Sequence, residues 1–221
     1  EGIEMNYDKA REIMVDTQVR PNDVSDPHIV SAFLKTPREA FVPTSRKSVA
    51  YSELEIETSV GRALWTPRDT GKLVKLADIK PSDIVLVIGA GSGYEVALIS
   101  HLAETVIALD DTDARVDAMS ERFAALGIDQ AVAVEGDLAA GLPDQAPFDV
   151  ISVCGMVETL PEAWTSQLAE GGRLAVVTLE REGLGRGKVY TRAGDTVSAR
   201  EGFDAFPPKF PAFDRKKSFV F

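Results

Sequence analysis

The chain of 221 residues has one cysteine, Cys154, and two histidines, His28 and His101. A lone thiol forbids an internal disulfide and suits a reducing compartment, so a cytoplasmic location is expected. So few imidazole and thiol groups leave no Cys/His metal constellation at any spacing, and no metal site is expected. A G-x-S-x-G elbow is missing and no Ser-His-Asp pattern stands out. His28 follows Pro27 near a helix start and His101 closes a helix, so both read as structural. No apolar run approaches the roughly 20 residues of a membrane helix, and no membrane partner is expected. The opening EGIEMNYDKARE is polar and acidic, unlike a secretory leader or a basic transit peptide, with Met5 the expected natural start. Basic charge is also scarce: 24 Lys and Arg face 35 Asp and Glu, a net charge of −11. Nucleic-acid binding needs clustered cations to neutralise phosphates, so no nucleic-acid partner is expected. An anionic substrate would need local basic residues against this repulsive background.

What is present is an ordinary globular composition with a change of character near residue 80. Before it the chain is helical and loopy. Residues 6–19 place Ala10, Ile13, Met14 and Val19 on one helical face. Asp26 and Pro27 open a second helix that ends before Pro37. Residues 42–63 show no period and read as an extended connection with local turns. Thr66, Pro67 and Asp69 start a third helix, running to about Ala77. From residue 82 strands and helices alternate: DIVLVIG, GYEVALISHLA, TVIALD, DARVDAMSERFAALG, AVAVEGD, FDVISVCG, LPEAWTSQLAE and GGRLAVVTL. Such alternation predicts an α/β fold, a doubly wound, mostly parallel sheet with helices on both faces. After a glycine-rich turn at 180–187, a C-terminal antiparallel hairpin is expected around Gly194–Asp195, followed by an aromatic tail that ends strand-like. Residues 1–80 thus read as a helical extension and substrate-side segment, and 81–221 as the core of one compact domain. Phe203, Phe206, Phe210 and Phe213 of the tail serve either a partner or homodimer contact, or a sheet edge of the chain itself.

The stretch IVLVIGAGSGYE puts Gly89, Gly91 and Gly93 at a strand–helix junction. A bare backbone there lets a ligand approach amides at the start of a helix. Dinucleotide binders read G-x-G-x-x-G/A, and the third position here is Tyr94, too large for that packing. The spacing found is G-x-G-x-G, as in S-adenosylmethionine-dependent methyltransferases. Asp110 ends the next strand, where a carboxylate can accept both ribose hydroxyls. Its neighbour Asp111 reads as a solvated acid. Gly136 and Asp137 end the third strand, where an amide and a carboxylate can read an adenine edge. The three points share the C-terminal edge of a parallel sheet, the usual ligand side of open α/β folds.

The chain resembles protein-L-isoaspartate O-methyltransferases over nearly its whole length. The stretches that carry the likeness are TPREAFVP at 36–43, AYSE at 50–53, IGAGSGYEVALIS at 88–100, GD at 136–137, APFDVISV at 146–153 and GGRL at 171–174. The resemblance implies a seven-stranded Rossmann-like methyltransferase fold and S-adenosylmethionine as cofactor. It also implies protein repair, in which the partner is a protein or peptide whose isoaspartyl carboxylate is methylated. By position, Gly89, Ala90, Gly91, Ser92 and Gly93 line the methionine end of the cofactor. Asp110 and Asp111 stand at its ribose, and Gly136, Asp137 and Leu138 at its adenine.

The likeness breaks on the substrate side. The family carries GQTISQP, with a serine at the reacting centre; this chain reads GRALWTP, so Trp65, Arg62 and Thr66 are the candidate residues around the chemistry. The usual LPIG is IETS at 56–59, and the acid of the family's EIG is Val87. Carboxyl methylation needs no general base, because the nucleophile is already ionised at neutral pH. Arg62 and Arg68 either hold a substrate carboxylate bidentately or pair with the chain's own acids. Trp65 either walls off water or stacks on a substrate at the site, or anchors the extension in the core. Two further outcomes stay open: a cofactor-binding relative with weak or lost isoaspartyl activity that acts through an interaction surface, and an enzyme for another carboxylate. A monomer and a homodimer are both compatible with the sequence.

Overall fold

Asn6 caps the first helix by accepting from the Lys9 amide (3.0 Å) in the computed structural model, which describes residues 4–216. Helix α1 (Tyr7–Met14) runs straight into a π-turn at Val15–Val19. Met14, Val15 and Val19 are buried, while Ile13, expected on that face, is half exposed. The wider turn accounts for the difference: two adjacent residues face inward and the next contact comes a longer step later. Helix α2 (Pro27–Lys35) starts where the sequence puts it, with Asp26 accepting from His28 and Ile29 amides at 2.8 and 3.3 Å. The connection at 42–63 is more ordered than expected. It contains a 3-10 segment (Thr44–Val49) and a hairpin of β1 (Ile56–Ser59) and β2 (Arg62–Leu64), turned at Val60–Gly61. Helix α3 (Pro67–Ala77) opens on Thr66, whose hydroxyl accepts from the Asp69 amide at 3.3 Å.

The alternating region then delivers β3 (Ile84–Ile88), α4 (Tyr94–Ile99), β4 (Thr105–Asp110), α5 (Asp113–Leu126), β5 (Ala131–Glu135) and β6 (Phe148–Val153). It continues through α6 (Glu162–Ser166), β7 (Leu168–Arg181), β8 (Leu184–Ala193) and β9 (Thr196–Asp204). These strands form one seven-stranded sheet in the order β5-β4-β3-β6-β7-β8-β9. The pairs from β5 to β7 are parallel and β7-β8-β9 is an antiparallel meander. The strand run in β3 is buried on both faces: Val85 and Val87 join one apolar cluster with the N-terminal helices, and Leu86 and Ile88 join the other.

Two boundaries differ from the sequence reading. The helix expected over 160–170 is five residues, because Leu168 is recruited as the start of β7 by pairing with Phe148, and the preceding Gln167 carbonyl accepts from the Phe148 amide at 2.8 Å. The glycine-rich turn expected over 180–187 narrows to Glu182–Gly183, because the residues on either side pair in the β7–β8 ladder, with one irregularity between Leu179 and Arg181. In the tail, Phe210 and Phe213 are buried against the sheet and Phe206 is 56% exposed. The strand-like end expected for the chain lies outside the described residues. Among the described residues no helix is long and apolar enough to cross a membrane.

Candidate cofactor and active site

Strand β3 ends at Ile88 and its neighbour β4 ends at Asp110, so the loop between β3 and α4 lies directly beside that carboxylate. The loop is pinned by amides of Gly89 and Ala90 donating to the Leu109 carbonyl (2.9 and 3.3 Å) and by Gly93 donating to Ala90 (2.9 Å). Gly89, Gly91 and Gly93 all have φ between +61° and +93°, a backbone that side chains strain, which is why this loop is glycine at those steps. The Gly91 amide points at the Asp110 carboxylate, 2.7 Å from Oδ2.

Asp110 is fully buried and every acceptor position on it is engaged. Its oxygens take the amides of Gly91 and Asp111 (2.7 and 2.8 Å) and the fork of Arg62, whose Nη2 is 2.8 Å from Oδ1 and whose Nε is 3.2 Å from Oδ2. Burial raises the Asp110 carboxyl, but the Arg62 donors and charge together with the two amides outweigh it and hold the group below its ordinary value. Asp111 is half exposed and bridges Arg62 (3.1 Å) and Arg115 (2.6 Å). Arg115 ties this cluster to the β1–β2 hairpin, donating to the Ser59 hydroxyl and the Val60 carbonyl. On the next strand, Gly136 donates to the Asp110 carbonyl at 3.0 Å, and exposed Asp137 accepts from the Ala139 amide at 3.0 Å. Leu138 turns its side chain into the core, and its carbonyl accepts from Trp164 Nε1.

Of the sequence-nominated residues on the hairpin side, Arg62 and Trp65 are brought to this edge, and Thr66 and Arg68 are engaged elsewhere. Arg62 sits on Asp110, so its fork faces the cofactor side. Thr66 caps α3, and Arg68 pairs with Asp69 (2.6 Å). Trp65 is 5% exposed and belongs to the core cluster shared by the extension and the sheet, which matches the anchoring alternative. Its carbonyl accepts from fully buried Arg38 (2.7 Å), whose Nε also donates to the Ala50 carbonyl and whose guanidinium lies over the Tyr94 ring, 5.0 Å from its centre. A cavity of about 30 Å³ remains between Trp65, Thr70, the glycine loop, Glu95 and Cys154, room for roughly one water.

Three participants escaped the sequence reading. Glu95, in the first turn of α4, is buried and accepts from the Ser152 hydroxyl and the Cys154 thiol, both at 2.6 Å. Burial pushes its carboxyl up, with the two donors offsetting part of the rise. It adjoins Tyr94 in the quoted motif, and nothing in spacing alone marks it. Arg38, inside the matched stretch TPREAFVP, is the buried tie between extension and Trp65. Phe210, from the tail, lays its ring on the glycine loop: a Cβ at Gly89 or at Gly155 would overlap it. The Arg62 guanidinium lies over that ring, 5.0 Å from its centre.

The donor set suits a nucleoside: an open-backboned loop, a buried carboxylate at the next strand end and a free acid on the third. The same surfaces carry Arg62 and Phe210 in the closed arrangement described above.

Residues 9–201 match the family described as protein-L-isoaspartate(D-aspartate) O-methyltransferase. The chain is 31% identical over 93% of its length to the protein-L-isoaspartate O-methyltransferase of Methanoculleus marisnigri, also covering 93% of that protein. It is 36% identical over 76% of its length to the one of Koribacter versatilis, covering 75% of it. Among solved structures, a protein-L-isoaspartate O-methyltransferase superposes with a TM-score of 0.77 at 24% identity, over 92% of this chain and 65% of that longer one. A Plasmodium falciparum protein described as such an enzyme, in complex with S-adenosyl-L-homocysteine, gives 0.75 at 19% identity over 93% and 98% of the two chains. Those two likenesses concern the fold.

Proposed function

The chain belongs to the protein-L-isoaspartate(D-aspartate) O-methyltransferase family, and from that premise we propose that it transfers a methyl group from S-adenosylmethionine to the isoaspartyl carboxylate of a damaged protein or peptide. The observation that carries the reading is the buried Asp110 carboxylate beside a three-glycine loop at the C-terminal edge of β3 and β4. The bare backbone of Gly89, Ala90, Gly91, Ser92 and Gly93 would line the methionine end. Asp110 would accept the ribose hydroxyls, and Asp137 with Gly136 would meet the adenine. When bound, S-adenosylmethionine supplies an electrophilic methyl on its sulfonium. An isoaspartyl carboxylate is ionised at neutral pH, so the chain needs to position it rather than deprotonate it. Trp65 lines the remaining cavity and would limit the water there to about one molecule. The partner is a protein chain and not a nucleic acid, given a net charge of −11; one copy or two serve equally, and the cytoplasm is the compartment.

The test is mass analysis of an isoaspartyl peptide and its aspartyl twin after incubation with the chain and S-adenosylmethionine. A methyl gained by the first and not the second supports the reading; methylation of neither, with the donor bound, overturns it.

One observation favours a second reading, a donor-binding relative whose isoaspartyl activity is weak: the indole of Trp65 fills the place of the family's serine. Turnover that rises in Trp65→Ser identifies the indole as the obstruction. Unchanged background turnover in the folded variant removes this explanation.

A further inference from the structure

Both surfaces that a nucleoside would use are already in use by the chain itself. The Asp110 carboxylate accepts four hydrogen bonds, two of them from Arg62, and the Arg62 side chain is 8% exposed. No acceptor position is left for ribose hydroxyls while that fork is in place. The glycine loop is likewise covered. Phe210 packs where a side chain at Gly89 or Gly155 would stand, and the Arg62 stem lies against Gly91, 3.3 Å from where its Cβ would be. Arg62 and Phe210 also brace each other, guanidinium on ring. They come from opposite ends of the chain, the β1–β2 hairpin and the tail.

The tail around Phe210 is tied down as a strap. The Phe210 amide donates to the Met156 carbonyl (2.8 Å) and the Met156 amide to the Pro208 carbonyl (2.9 Å). Lys209 reaches Asp214 (3.0 Å) and Glu158 (3.4 Å), and the Arg215 amide donates to Glu158. Further along, Phe213 anchors the segment, its carbonyl accepting from the Thr159 amide and hydroxyl (3.0 and 2.8 Å) and its ring packing edge-on against Trp164; none of these ties is a ladder bond of the seven-stranded sheet. Opening therefore needs a strap to lift and one arginine to swing, with no change in the sheet.

We infer that Arg62 and Phe210 form an autoinhibitory latch on the donor site, with the Arg62 fork standing in for the ribose and the Phe210 ring covering the glycine loop. This rests on the donor reading above. In the open state Arg62 is released from Asp110 and Phe210 from Gly89. A ligand that binds only the open state is weakened by the fraction of molecules that are open. For a minor state populated at about 0.1–10%, that is a loss of tenfold or more.

The test is calorimetric titration of the full chain with S-adenosylhomocysteine, for the wild type, Arg62→Gln, Phe210→Ala and the double variant, each checked for a native near-ultraviolet spectrum. The latch predicts that each single variant binds at least about tenfold tighter than wild type. It also predicts that in the wild type the hydrogen-bonded amides of Phe210 and Phe213 lose hydrogen-exchange protection when the ligand binds. Phe210→Ala keeps the Arg62–Asp110 pair, so it carries the test if Arg62→Gln does not fold. Equal affinities, with the Phe210 and Phe213 amides still protected in the complex, overturn the latch and leave the donor reading intact. Absence of binding to every folded protein overturns the donor reading and the latch with it.

Discussion

Asp110 and Arg62 form a buried, bidentate pair: removing Arg62 should weaken the fold and favour donor binding, whereas removing Asp110 should weaken both. Taking one partner from a buried pair costs about 3–5 kcal/mol, because the other is left uncompensated. Asp110→Asn should lie near the lower end of that range, since Asp111 stays 3.1 Å from the Arg62 guanidinium; urea unfolding measures it. A carboxyl held below its ordinary value stabilises the fold above the unfolded-state value and loses that contribution as pH falls through the folded one. Wild-type stability should therefore drop below about pH 4 more steeply than that of Asp110→Asn. Glu95 behaves in the reverse sense. Its carboxyl is pushed up by burial, so the folded state holds the proton more tightly and stability falls as pH rises past the ordinary glutamate value. Glu95→Gln keeps an acceptor for Ser152 and removes that titration, so its melting temperature should equal or exceed the wild type's at pH 7 and should vary less between pH 4 and pH 7.

The elements that the sequence disclosed are those with local causes. Asp26–Pro27, Thr66–Pro67 and Gly127 start or stop their helices through neighbours within a few residues, and the structure keeps all three ends. The β1–β2 hairpin was invisible because it buries only Ile56 and Leu64, one residue at each end, so no alternation is written in it. The start of β7 was missed because Leu168 becomes strand only by pairing with Phe148, twenty residues away. The glycine loop and Asp110 were legible by motif, while the partners that cover them were not. Arg62 is 48 positions from Asp110, and Phe210 is 121 positions from the Gly89 it covers. This gives the strap its own prediction. Gly155 has an ordinary backbone, so Gly155→Ala should be destabilising through overlap with Phe210 alone, by about 1–3 kcal/mol as overpacked sites are. In a Phe210→Ala background the same change should cost close to nothing, a coupling that a double-mutant cycle reads directly.

For the molecule as a whole, the layered sheet explains the division of labour. Its C-terminal edge collects the glycine loop, Asp110 and Asp137, the N-terminal segment supplies Arg62 and Trp65, and the tail supplies Phe210. The net charge of −11 sets the field in which a peptide arrives. Like-charged partners are steered away and salt relieves the repulsion, so kcat/KM for an acidic isoaspartyl peptide should rise with ionic strength, and for a basic one should fall. The central claim is methyl transfer to a side-chain carboxylate, and its most direct measurement uses S-adenosylmethionine labelled in the methyl group with an aged, isoaspartate-containing protein as acceptor. The account predicts enzyme-dependent label that mild alkali releases as methanol, as a carboxyl ester requires, and that a fresh, undamaged acceptor does not take up. Label that resists alkali, or that appears equally on the fresh acceptor, would contradict it.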